Sequence, residues 1–149
     1  MKKVILIFVT IVLSGLLYAK DNKSTDALLR EIDGIIKNRQ TYGAEKEARI
    51  ADLKKLLVEA TSDEQRYGFC GRLFDEYRAY NLDSSFVYAQ RKEELAHRMD
   101  KLDYLDDAAM NMAEVMGTTG MYKEALELLG QIDKKTLPDY LYGYYYHLY

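Results

Sequence analysis

Gly120-Met121-Tyr122-Lys123-Glu124-Ala125-Leu126-Glu127-Leu128-Leu129-Gly130-Gln131-Ile132 is the stretch that decides the fold. Within it, Gly120, Tyr122, Ala125, Leu129 and Ile132 fall at relative positions 0, 2, 5, 9 and 12. Upstream, Ser84, Phe86, Ala89, Glu93 and Ala96 occupy those same positions. Ala89 and Ala125 are therefore 36 residues apart. Self-similarity at a period of 20–50 residues is the signature of a stacked array rather than of one irregular core.

The spacing is close to the roughly 34-residue period of tetratricopeptide repeats. In such a unit the aromatic residue two positions into the second helix, Phe86 or Tyr122, is expected to fill the gap between paired helices. The small Ala89 and Ala125 let the first helix approach closely, and Ala113 is the matching small residue on the first helix of the second unit. Leu73 and Ala109 also align, although a large residue is expected at both. Units of this kind cannot bury their faces alone, so they stack.

Working outward, the rest of the chain reads as helix. Leu28, Leu29, Ile32, Ile35 and Ile36 recur at three- and four-residue spacing from Ser24 to about Asn38, which predicts one amphipathic helix. Tyr42-Gly43 is expected to break the run before a second helix, Ala44 to Ala60, striped by Ile50, Leu53, Leu56 and Leu57. Thr61 and Glu64 fit a capping box opening a third helix that ends near Asn81. Asp83 or Ser84 is expected to cap a fourth, a fifth runs from about Tyr104 to Met116, and a sixth covers Met121 to Ile132. Pro138 opens a seventh, where its missing N–H costs nothing. No stretch alternates with period two. The fold class is all-α: tetratricopeptide-like helix-turn-helix repeats forming a short solenoid, with an N-terminal signal segment.

The expected organisation is a signal peptide at 1–19, an N-terminal helical pair at 20–61 serving as cap or divergent repeat, repeat 1 at 62–101 and repeat 2 at 102–136. The first helix of an incomplete repeat 3 follows at 137–149. The signal reading rests on Lys2 and Lys3, the apolar run from Val4 to Leu13, and the small Ala19 before Lys20. From Val4 to Ala19 a helix reaches only about 24 Å, against a hydrocarbon core of about 30 Å. Cleavage after Ala19 is therefore expected over an uncleaved anchor. Without residues 1–19 the chain keeps 130 residues with 19 basic and 24 acidic groups, a formal charge of −5. In the 137–149 segment, Tyr140, Leu141, Tyr142, Tyr144, Tyr145, Tyr146, Leu148 and Tyr149 cover every face of a helix. That is the pattern of a buried helix, and the alternative uses of the Tyr-rich C-terminus are a ligand platform or a homodimer contact.

Composition excludes several function classes. One Cys rules out an intramolecular disulfide framework and a multi-cysteine zinc site. Cys70, among Phe69, Leu73 and Phe74, reads as buried and inert. The acidic balance and the absence of charge after Asp139 give nucleic acid nothing to bind. His97 and His147 stand fifty residues apart, outside any metal spacing. Adjacent acid pairs such as Glu93-Glu94 and Asp106-Asp107 point in different directions on a helix. No catalytic residue, cofactor site or metal site is expected, and the chain is not read as an enzyme. Phe74 and Arg78 in one unit, and Met110 and Glu114 in the next, take the inner positions expected of a partner-binding groove. Mixed apolar and charged, such a groove suits a protein or peptide partner.

Five segments carry a family resemblance. Leu29-x-Glu31-Ile32-Asp33, Arg39-x-x-Tyr42, Lys46-Glu47-x-Arg49-Ile50-x-x-Leu53, Leu73-Phe74-Asp75-Glu76-Tyr77 and Asp83-Ser84-x-x-x-Tyr88-Ala89 succeed one another along the chain. Together they resemble the N-terminal half of a group of exported tetratricopeptide-repeat proteins from Bacteroidetes whose longer members end in a C-terminal domain of unknown function. The resemblance implies a periplasmic or cell-envelope interaction or scaffolding module, the sensory N-terminal part of a larger protein. The alternative it implies is a membrane-anchored signalling or transcription-linked regulator of which these residues are only the periplasmic repeat region. Contact with the membrane is then expected only through the signal segment or a downstream helix. The resemblance carries no catalytic residue over.

Overall fold

The computed structural model describes residues 25–149, so the signal segment expected at 1–19 lies outside the described residues. Seven helices account for the regular structure among them: α1 (25–37), α2 (Arg39–Glu59), α3 (Asp63–Tyr77), α4 (Leu82–Met99), α5 (Leu102–Thr118), α6 (Tyr122–Gly130) and α7 (Asp139–Leu148). None of them is long and apolar enough to cross a membrane. The chain divides into two compact units between Glu45 and Lys46.

In the first unit the helical run is interrupted at Asn38, not at Tyr42-Gly43 as the sequence predicts. The amide of Tyr42 donates to the Asn38 carbonyl at 3.1 Å, so the ladder passes through Gly43. A glycine inside a helix costs only about 1 kcal/mol relative to alanine, which neighbouring turns absorb.

In the second unit α3 packs on α4, α4 on α5, α5 on α6, and α7 returns to α5. Two apolar cores result. The first gathers Ile50 of α2 with Leu73, Phe74, Ala89, Ala96, Ala108 and Met112. The second gathers Met110, Ala113, Leu129, Leu141 and Tyr145. Helix α5 belongs to both: Ala108, Met112 and Val115 face the first core, Met110 and Ala113 the second. Its central place in the array follows from apolar residues on more than one face.

Local signals set the helix ends, one to four residues from where the sequence suggests: α3, expected to end near Asn81, closes at Tyr77. Ser62, not Thr61, is the N-cap of α3. Its hydroxyl accepts from the Gln65 amide at 3.2 Å, and the Gln65 side chain accepts from the amides of Thr61 and Ser62. The extended backbone of Ser62 makes Asp63 the first helical residue, so the third position is Gln65 rather than Glu64. Asn81, rather than Asp83 or Ser84, caps α4 through a bond from the Ser84 amide at 2.9 Å. Asp100 closes α4 in the left-handed region with φ 51°, and Gly120 follows α5 at φ 85°. At Gly120 the missing Cβ lets the chain reverse towards α6 without strain.

The aromatic expectation is corrected. Phe86 is partly exposed and Tyr122 is 69% exposed, so neither fills a gap between helices. Tyr88 does this in α4, buried and stacked on Tyr77 with ring centroids 5.7 Å apart. Tyr88 shares a face with Ser85, Lys92 and Leu95 at helical spacing, whereas Phe86 is turned away by about 200°. Helix α7 is likewise not buried all round: Leu141 and Tyr145 are in the core, while Tyr140, Tyr146 and Tyr149 are exposed. Lys134 covers part of this tail, its ammonium 5.3, 5.9 and 4.9 Å from the rings of Tyr145, Tyr146 and Tyr149.

Candidate functional site: a polar pocket threaded by Lys92

Lys92 lies on the buried stripe of α4, between Ala89 and Ala96, and is only 4% exposed. A buried ammonium has to be paired and hydrogen-bonded. Its stem runs alongside Gly71 of α3, with the Lys92 Cε 3.6 Å from where a Cβ would stand, an ordinary van der Waals distance. The ammonium reaches Asp107 Oδ2 at 2.7 Å, donates to Asn111 Oδ1, and sits 4.9 Å from the Tyr67 ring centroid.

From this point a hydrogen-bonded network extends over four helices. The Tyr67 hydroxyl of α3 donates to Asp107 Oδ2 at 2.7 Å, and its oxygen lies 2.8 Å from the Tyr104 carbonyl. Tyr67 also stacks on Tyr104 at 4.4 Å. Burial, reinforced by Asp107, drives its phenol far above the ordinary range, so it stays a donor. Asn111 Nδ2 donates to the Tyr144 hydroxyl of α7 at 3.0 Å, and Tyr144 donates to Glu114. Burial first, then Glu114, raises the Tyr144 phenol in the same way. Glu114 finally accepts from Arg78 Nη1 at 3.3 Å on both oxygens, and Arg78 reaches Asp75 at 3.8 Å. An open pocket of about 290 Å³ lies among Lys92, Asp107, Asn111 and Tyr144, with Phe74, Asp75 and Arg78 also in its lining.

The four groove residues expected from sequence separate into two pairs. Arg78 and Glu114 meet across α3 and α5 at the rim. Phe74 and Met110 are 1% and 0% exposed and belong to the two cores, Phe74 also contributing to the lining of the pocket. Lys92, Asp107, Asn111 and Tyr144 are site residues that sequence reasoning misses. One signal does point to them: Lys92 falls on the same helical stripe as Ser85, Tyr88, Ala89 and Ala96, where a solvated lysine does not belong.

Outside this pocket the charged groups pair along the surface. Asp63 meets Arg66 and Arg98 at 3.0 Å each, and these guanidiniums, Arg98 first, hold its carboxyl below the usual range. Lys101 meets Glu64 at 3.2 Å, and Glu76 meets both Lys46 and Arg49. Cys70 is buried, and that burial pushes its thiol up, away from the reactive thiolate. Among the described residues no group of three or more His, Cys, Asp or Glu is placed to hold a metal ion.

The pocket therefore presents fixed polar groups on a rigid helical scaffold, the property that stacked repeats use to hold protein partners. Neither a curated protein nor a solved structure matches the chain. The family model described as the SusR N-terminal TPR domain matches residues 36–149, which span α2 to α7 with the pocket inside them. With the helical repeats and most of its length accounted for, the chain belongs to the SusR N-terminal TPR domain family.

Proposed function

We propose that this chain is a non-enzymatic interaction module of the cell envelope, acting as the sensory N-terminal part of a larger protein. The observation that carries the reading is the Arg78–Glu114 ion pair, whose Arg78 lines the Lys92 pocket. It offers a charged, partly exposed rim above a wall whose own polar groups are satisfied. A rim of this kind contributes orientation and selectivity to a protein or peptide partner, while the network beneath keeps the helices in register. The basic and apolar segment at residues 2–19 supports export. The family description, an N-terminal domain, supports a place at the start of a longer regulator.

Two measurements test this. Mass spectrometry of the chain recovered from the periplasmic fraction should give an N-terminus at Lys20; a cytoplasmic chain retaining Met1 would reject the envelope reading. Arg78→Glu should reduce cross-linking to the envelope partner at least several-fold at unchanged helix content by circular dichroism. Arg72→Glu, on the same helix but off the rim, should leave it intact. Equal cross-linking by both variants would remove the rim from the partner site.

A further inference from the structure

Helix α1 carries an exposed apolar stripe. Leu28, Leu29, Ile32, Ile35 and Ile36 are all between 50% and 57% exposed. Successive residues turn about 100° around a helix, which places Ile32 at the centre of this stripe with the other four within about 60° of it. The same geometry sets Glu31 and Asp33 about 100° to either side of Ile32, one on each border of the stripe. Both are exposed. The cations Arg30 and Lys37 fall on the opposite half of the helix, and Arg30 is turned back to the Asp26 carbonyl at 3.2 Å. The stripe is thus apolar along its centre and acidic on both borders. It also lies almost wholly before residue 36, outside the segment that the family model covers.

We infer that α1 is a docking face for a partner segment of complementary chemistry: an amphipathic helix with an apolar seam bordered by Lys or Arg. An exposed stripe of five Leu and Ile side chains is the usual anchor set for a helix laid into a groove or against a second helix. The acidic borders select among occupants. A second copy of α1 would set Glu31 against Glu31 or Asp33 against Asp33 in an antiparallel pair, and Glu31 against Asp33 in a parallel one. Like charges facing each other oppose both arrangements. An anionic lipid surface is repelled by the same borders. A basic-bordered helix gains two opposite-charge contacts, one on each side of the seam. This inference is independent of the Arg78–Glu114 rim, which lies in the other compact unit.

The test uses the purified chain and a labelled synthetic helix of alternating leucine seam and lysine borders. A twin with glutamate borders and vesicles of zwitterionic or anionic lipid serve as rivals. By fluorescence anisotropy the lysine peptide should bind about tenfold more tightly than its glutamate twin at low salt, a gap that closes as salt screens it. Ile32→Ser should abolish binding, and the double variant Glu31→Gln, Asp33→Asn should bind the twins equally. All these substitutions are on the exposed face of α1, so folding is untouched. Equal affinity of the unmodified chain for both twins, or an unchanged Ile32→Ser, overturns the inference. So does binding to vesicles alone, or a dimer in sedimentation velocity that Ile32→Ser dissolves.

Discussion

Helices α1 and α5 carry comparable apolar content and the same helical spacing, yet they end in opposite environments. In α5, Ala108, Met110, Met112, Ala113 and Val115 are all buried. In α1 every Leu and Ile of the stripe is at least half exposed. Amphipathic periodicity says that a helix has an apolar face and leaves open what will cover it. Covering comes from elements distant in sequence: α4 and α6 flank α5 and α7 closes on it, so the stripe of α5 becomes two cores. The difference also shows in the polar residues. Helix α5 holds Asp106 and Asn111 buried, a placement tolerated only where neighbours supply partners or the proton stays on. Every acid of α1 stays in solvent.

The contrast can be broken most severely by truncation. Met110→Ala should lower the unfolding free energy by about 2–5 kcal/mol, as expected for a large-to-small change in a closed core. Leu28→Ala, measured at low protein concentration, should stay within about 0.5 kcal/mol of the unmodified chain. Urea denaturation followed by circular dichroism reads both, and equal losses would mean that α1 is covered in solution.

Next comes the polar side of α5. Lys92→Ala leaves Asp107 only the Tyr67 hydroxyl and should cost about 3 kcal/mol, while Lys92→Met, which removes the same cation but keeps the filled space, should recover only the packing part of that loss. A Met variant as unstable as the Ala variant would mean that the ion pair itself, and not the filled space, holds α4 to α5.

Asp106 sharpens the comparison through pH. Its Oδ2 is buried with no hydrogen-bond partner, and burial, then the charges of Asp103 and Asp133, raises its carboxyl above the usual value. A raised acid stabilises the fold while protonated, so its contribution is complete below the unfolded value near 3.8 and is lost as pH climbs through the folded value. Asp106→Asn should therefore be more stable than the parent at pH 7, with the gap shrinking towards pH 4. Parallel pH profiles in thermal melts would assign the burial penalty elsewhere.

The smallest effects concern glycine. Gly34 in α1 and Gly117 in α5 both leave open space where a Cβ would go. Gly117→Ala should add up to about 1 kcal/mol of global stability through helix propensity. Gly34→Ala should raise helicity and amide protection locally, with the cooperative midpoint unmoved. A shifted midpoint from Gly34→Ala would couple α1 to the cooperative core.

Much of the architecture is legible in the amino-acid sequence. The all-α class follows from apolar spacing of three and four, and the family from the order of five short segments and the 36-residue spacing of Ala89 and Ala125. Positions that depend on one residue's backbone are displaced by a step. Thr61 and Glu64 spell a capping box as well as Ser62 and Gln65 do, and only the extended Ser62 backbone chooses between them. Likewise Tyr42-Gly43 looks like a breaker in isolation, but the interruption falls at Asn38. Half of the site is legible in the same way. Charge and spacing bring Arg78 and Glu114 forward together, whereas Phe74 and Met110 share their groove register but are carried into the cores by size and apolarity.

By itself the sequence determined helix content, helix order and the repeat period, because these depend on neighbours three, four or 36 positions away. Tertiary structure alone decided which faces meet. It drew Lys92 to Asp107 and Asn111 and joined Tyr144 to the network across more than thirty residues. The physical reason is that burial belongs to pairs of surfaces. A residue's own chemistry sets the cost of being buried, and only the element facing it determines whether that cost is met.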